Sequence, residues 1–153
     1  MDIANPMSPT IVGTYDYPSS VRDAESVYVV GNRAYLGLAK SSSQDDIVVL
    51  NITNPASIVR IGGKNLGMNG AGAAVVRVVV QGKYAFVLTS DTNDEFRVLD
   101  ISSGTPTVFG CANPYNYSAH PSDMAFLDNY IFASNSSNAT LRVIYDDPNP
   151  GCH

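Results

Sequence analysis

The sequence predicts an all-β fold of three four-stranded repeats, in which a strand near the N-terminus completes the last repeat. Three observations predict it. One phrase returns four times: DIANP from Asp2, NITNP from Asn51, DISSG from Asp100 and DDPNP from Asp146. A hairpin phrase returns three times, with Gly31, Gly82 and Asp128 at its turn, 51 and then 46 residues apart. And no stretch keeps apolar residues at the three-and-four spacing of a helix for long enough to form one.

The elements follow in chain order. SPTIVGTYD, at 8–16, reads as a lone strand. VYVV-GN-RAYLGL is a pair of β-rich runs around a Gly-Asn turn, a strong hairpin signal. The polar loop KSSSQDD follows, then IVVLNI and SIVRIGG as third and fourth strands. The second repeat restates the design as VVV-QGK-YAFVL, SDTNDE, FRVLDI and PTVFG. The third reads MAFL-DN-YIFAS, NSSNA and LRVIYD, and reaches DDPNPGCH with no fourth strand. β-Branched and aromatic residues fill the strands, and Gly, Pro, Asn and Asp fill the joints. DIANPMSPTIVG matches NITNPASIVRIG, so the opening strand is of the fourth-strand kind. The expected pairing sets 10–14 beside 140–145, in the same molecule or an adjoining one, which would hide two sheet edges at once.

A repeat of this length with four strands is the size of one β-propeller blade. The whole chain is then a single β-propeller-like domain, 1–153, with blades at about 22–63, 73–111 and 120–152 and the strand at 8–16. Three blades alone would each subtend about 120°, a wider wedge than in rings of about four to eight blades. Four arrangements follow: a compact three-blade prism, a six-bladed ring of two chains, strand exchange into a filament, or a part of a longer propeller. The prism is favoured, because the cysteine pair discussed below ties the C-terminus back to its own chain.

The phrases GNRAYLGL…DDIVVLNITNPASIVRIGG and QGKYAFVL…EFRVLDISSGTPTVFG resemble the LVIVD repeat family, β-propeller-like repeats found mostly in bacterial and archaeal surface proteins. The third repeat departs from the pattern, with Tyr145 and Asp146 where Asp-Ile stands in the others. The resemblance implies a surface protein.

Composition bounds the remaining readings. Hydrophobic residues make up 44% and charged residues 15%, which suits a folded chain. The net charge of −5 argues against nucleic acid as a partner. The longest apolar run, AAVVRVVV at 73–80, is strand length and carries Arg77, so direct membrane insertion is not expected. Few lysines, much Asn, Ser, Thr and Tyr, and two cysteines look extracellular. Met1 is expected to mark a start from which a leader or anchor was removed. Cys111 and Cys152 are expected to pair. Their loop of about 40 residues would restrict the unfolded chain by roughly 4 kcal/mol. Sequons occur at Asn51, Asn116, Asn135 and Asn138. Asn135 and Asn138 are expected in an accessible hairpin loop, whereas Asn51 reads as a poor acceptor.

Candidate sites are few. Asp91, Asn93 and Asp94, in a loop between strands, could offer oxygens to Ca²⁺, but lack the Gly and distant Glu of an EF-hand loop. A solvated hairpin tip is the plainer reading. Otherwise no cofactor is expected. Asp23, Glu25, Arg77, His120 and Asp123 sit at the joints before first strands, where a propeller's binding rim lies. His120, Ser122 and Asp123 cannot form a catalytic triad, since neighbours on one extended strand point in alternate directions. Tyr115 and Tyr117, like Tyr15 and Tyr17, suit contact with a sugar or protein, or cover the ends of the core. The functional expectation is a non-enzymatic extracellular module, structural or adhesive, displayed on a cell-surface protein or filament. Its partners would be a protein or glycan surface, or further copies of itself. A carbohydrate- or Ca²⁺-binding module is the alternative, and a hydrolase ranks last.

Overall fold

The computed structural model describes residues 7–18, 22–112, 121–135 and 141–145. They form eleven strands in three antiparallel sheets, with no helix among the described residues. Sheet 1 runs β1 (Ala24–Val30), β2 (Arg33–Leu38), β3 (Ile47–Asn51) and β4 (Val59–Lys64), each paired to the next. Sheet 2 repeats this with β5 (Val75–Gln81), β6 (Tyr84–Thr89), β7 (Phe96–Asp100) and β8 (Thr107–Ala112). Sheet 3 holds β9 (Pro121–Leu127), β10 (Tyr130–Asn135) and β11 (Leu141–Ile144).

The repeated phrases have local causes. Gly31 and Gly82 turn the first hairpins at φ of 58° and 60°, where a Cβ is disfavoured. Asp128 holds the same place at 53°, tolerable for a short polar side chain. After the third strand the chain must reverse. Asn51 accepts from the Thr53 backbone at 2.9 Å, and Asp100 accepts from the Ser102 backbone at 2.8 Å. These side-chain turns are what the Asn/Asp-Ile-Thr/Ser phrase encodes. The Ile between them extends the pairing: Ile52 donates to the Asn32 carbonyl and Ile101 to the Lys83 carbonyl.

Each sheet presents one face to the next. Tyr28, Tyr35, Ile47 and Val49 of sheet 1 meet Val78, Val80, Ala85, Val87 and Leu99 of sheet 2. On its other face, sheet 2 sets Phe86, Leu88 and Phe96 against Met124, Phe126, Ile131 and Ala133 of sheet 3. The Phe86 and Phe126 rings lie 4.4 Å apart between centroids. Burying a side chain of this kind contributes about 1.5–3 kcal/mol, so these two layers carry most of the stability. First strands lie side by side, β1 against β5 and β5 against β9; among the described residues β9 does not pack on β1 in that way.

The stretch expected as a strand at 8–16 carries a single β-bridge residue, Thr10, and no strand of its own, and β11 has no neighbour beyond it among the described residues. Instead Tyr15 and Tyr17 lie on the outer face of sheet 1, against Ala34, Leu38, Val48 and Leu50. That surface offers apolar area and two guanidinium groups, Arg22 and Arg60, 5.5 and 5.9 Å from the Tyr17 ring centre. Burial pushes the Tyr15 phenol above its ordinary pKa, partly opposed by the Arg60 charge. At the two ends of the layered stack, Val27 and Val29 of sheet 1 are 56% and 55% exposed, and Leu141 and Val143 of sheet 3 are 59% and 52% exposed.

Candidate functional site

The first strands share an irregularity. Register slips between Ala24 and Ser26 in β1, and between Val75 and Arg77 in β5. In sheet 3 it slips where Ser134 faces Asp123 while Asn135 faces Pro121. Each slip leaves one unpaired residue six positions before the hairpin's positive-φ turn residue: Glu25, Val76 and Ser122. Such bulges bend a strand and re-aim its side chains. Here all three point to one place, a cleft of about 590 Å³ lined by Glu25, Ser26, Val27, Leu36, Val76, Arg77, Ser122 and Asp123, with Ala24 at its edge.

Inside it, Arg77 Nε lies 2.9 Å from Asp123 Oδ1, near enough for an ion pair but out of line for a hydrogen bond. The two side chains are 43% and 60% exposed, so the pair contributes at most about 1 kcal/mol. Asp123 Oδ1 also accepts from the Met124 backbone at 2.8 Å. Ser122 and Ser134 share a hydroxyl contact of 3.0 Å. Ser26 donates to the Val75 carbonyl at 3.1 Å and ties β1 to β5. This close approach explains Gly37, where a Cβ would strike both Ser26 and Val75.

Of the expected rim residues, Glu25, Arg77 and Asp123 come together in the cleft. Asp23 is exposed just before β1 and its carbonyl accepts from the Ala39 backbone at 3.3 Å. His120, Tyr115 and Tyr117 lie outside the described residues, as do Cys152, Asn116 and Asn138. Asn135 itself is corrected: it ends β10 and is 8% exposed rather than lying in an open loop, while the rest of its sequon lies outside the described residues. Cys111 is buried on β8, and no cysteine among the described residues is a free thiol.

The acidic loops turn inward. Asp91 is buried, faces Arg97 as an ion pair, and accepts from the backbones of Asn69 at 3.0 Å and Asn93 at 3.1 Å. Asp94 Oδ2 lies 3.7 Å from the same guanidinium. Arg97 further donates to the Leu66 and Asp94 carbonyls, at 2.5 and 3.2 Å. A metal ion at Asp91 and Asp94 would have to displace that guanidinium. Among the described residues no three His, Cys, Asp or Glu side chains gather as a metal site. The first repeat has a counterpart: Asp46, fully buried, lies 2.9 Å from Arg22 Nη2 and accepts from the Leu66 backbone at 2.8 Å. The sequence reading missed both Arg22 and Arg97. For Arg97 the available signal was an Arg just after an acidic loop, between the apolar Phe96 and Val98 of FRVLD.

Three antiparallel sheets, two of four strands and one of three among the described residues, set around a cleft at their first strands, define a β-repeat protein. The LVIVD repeat matches the chain over residues 1–17, 21–63 and 72–109, and the protein belongs to that family. No curated protein matches it. Among solved structures it is similar to the crystal structure of the computationally designed Ika4 protein, at 10% identity and a TM-score of 0.45, covering 91% of this chain and 99% of that one.

Proposed function

We propose that the protein is a non-enzymatic, extracellular β-propeller-like module whose three sheets are blades, serving as a structural or adhesive unit displayed on a cell-surface protein or filament. One observation carries this reading: among the described residues, the buried carboxylates of the acidic loops are already committed to the scaffold. Asp46 is held by Arg22, and Asp91 and Asp94 by Arg97. A nucleophile, base and orienter set requires groups left free to meet a substrate. Membership of a repeat family and the absence of a free thiol at Cys111 support the same reading. Cys152 is the proposed partner of Cys111, as suits an oxidising compartment. The test is labelling of intact producing cells with a membrane-impermeant amine reagent, followed by non-reducing mass analysis. Labelled protein, two hydrogens lighter than its dithiol form, is expected. Labelling only after lysis would sink the proposal.

The cleft favours a second reading, a module that binds a small polar ligand such as a sugar or Ca²⁺ beside Glu25, Arg77 and Asp123. A ligand of the folded state raises the melting temperature. A shift with a monosaccharide or with calcium, lost in Arg77→Ala and Asp123→Asn, is the expected result; no shift across the panel counts against it.

A further inference from the structure

We infer that the chain pairs with a second copy of itself to close a six-bladed, two-fold symmetric ring, with the exposed face of sheet 3 in each copy seated on the exposed face of sheet 1 in the other. The inference rests on reading the three sheets as blades. It begins from an interface that the chain already makes twice. Counting from the hairpin turns at Gly31, Gly82 and Asp128, the residues that meet across sheets 1 and 2 have equivalents that meet across sheets 2 and 3. Tyr35 of sheet 1 and Phe86 of sheet 2 are equivalent, and each sits in the layer facing the following sheet. Val80 of sheet 2 and Phe126 of sheet 3 are equivalent, and each receives it.

The same count runs on at both ends. Phe132 is the sheet 3 equivalent of Phe86, on a face shared with Leu141 and Val143, the last paired directly with it. Val29 is the sheet 1 equivalent of Phe126, beside Val27. Leu141 and Val143 on the giving face and Val27 and Val29 on the receiving face are the exposed residues noted above, and Phe132 is half-buried. Their chemistry fits because it is the chemistry of the two filled junctions. Closing them within one chain would need wedges of about 120°; two chains need about 60° per blade, within the range of ordinary rings. Heterologous faces related by a two-fold axis give two identical junctions and a closed assembly.

An independent feature agrees. Gly62 of β4 lies so close to the turn at Gly104 that a Cβ would strike its carbonyl, and Gly13 lies against the Pro55 carbonyl in the same way. Pro55 is in the turn between β3 and β4, and Gly104 in the turn between β7 and β8. Residues around Gly13 therefore stand to sheet 1 as β4 stands to sheet 2, in the place of a fourth strand of the preceding blade. In the proposed ring that blade is the other copy's sheet 3, whose β11 edge would receive it as an added strand.

The experiment uses the whole 153-residue chain. Sedimentation should give twice the 16.3 kDa chain mass, and a monomer at tens of micromolar overturns the inference. Leu141→Asp with Val143→Asp should halve the mass while leaving the far-ultraviolet circular dichroism unchanged, because both side chains are exposed in the single chain. Retention of the dimer by a folded double variant would overturn the inference as well. Val29→Cys with Phe132→Cys fixes the geometry on a non-reducing gel. Cross-linking between chains to a discrete covalent dimer is expected. A link within one chain means three-blade closure, and a ladder of larger species means an open filament; either overturns the ring. Should the double cysteine variant not fold, mixing the two single variants must give the same covalent dimer. Surface labelling does not depend on any of these masses, so the display reading and the ring can fail separately.

Discussion

Asp100 ends β7 and turns the chain by accepting two hydrogen bonds from one residue, the Ser102 hydroxyl at 2.5 Å and its backbone at 2.8 Å. The hydroxyl bond, followed by the backbone bond, holds the carboxyl below the ordinary carboxylate range. A depressed folded-state pKa places the linked stability above the unfolded pKa, and that stability disappears as pH falls through the folded value. Ser102→Ala removes the larger contribution. Carboxyl NMR titration of Asp100 should then show its midpoint moving up toward that of a free aspartate, with a smaller loss of stability on acidification below about pH 4. An unmoved midpoint would mean that the serine only shapes the turn. The pair also accounts for the most conspicuous repetition in the sequence: Asp-Ile-Ser and Asn-Ile-Thr recur because the same bend recurs.

At the scale of elements, the loop between β6 and β7 is organised from within. Arg97 projects from β7 into a space closed by Asp91 and Asp94, and its equivalent in β3 is Val48, an apolar residue. Removing the guanidinium while leaving two buried carboxylates costs more than the pair itself contributes, because the charges stay behind unsatisfied. Arg97→Met should therefore lower the unfolding free energy by about 3–5 kcal/mol, read by urea denaturation. Adding Asp91→Asn and Asp94→Asn should recover part of it; no recovery would assign the loss to packing alone. This loop also marks the boundary of what the sequence discloses. Hairpins are legible because a β-branched run, a turn glycine and another run are neighbours in the chain. The meeting of Arg77 and Asp123 is legible because both stand five positions before their hairpin's turn residue, and Glu25 stands one position earlier in its own repeat. Asp91 reads as solvent-facing because polar composition alone does not reveal an inward orientation, and Asp46 meets Arg22 across 24 positions of sequence. The likeness of 2–13 to 51–62 likewise discloses a kind of strand without disclosing whose edge it serves.

Across the whole molecule, the layered plan makes stability uneven. Among the described residues, sheet 2 is covered on both faces, sheet 1 on one and by Tyr15 and Tyr17 on part of the other, and sheet 3 on the face toward sheet 2. Backbone hydrogen bonds open in units set by the packing that must be lost with them. Amide exchange should therefore be slowest at Val78, Val87 and Leu99, whose side chains are fully buried in the layer between sheets 1 and 2. It should be fastest among the described strands at β11, which among them pairs with β10 alone and is exposed at Leu141 and Val143. A second copy seated on sheet 3 changes the second half of this ordering and not the first. Raising the protein concentration should slow exchange at 141–144 and at Val27 and Val29 together, because one event covers both faces, while the middle sheet stays as it was. Slowing at one face alone would point to a different neighbour for each end. Uniform exchange across all three sheets would mean that the chain opens as one cooperative unit, and that the exposed faces cost it little.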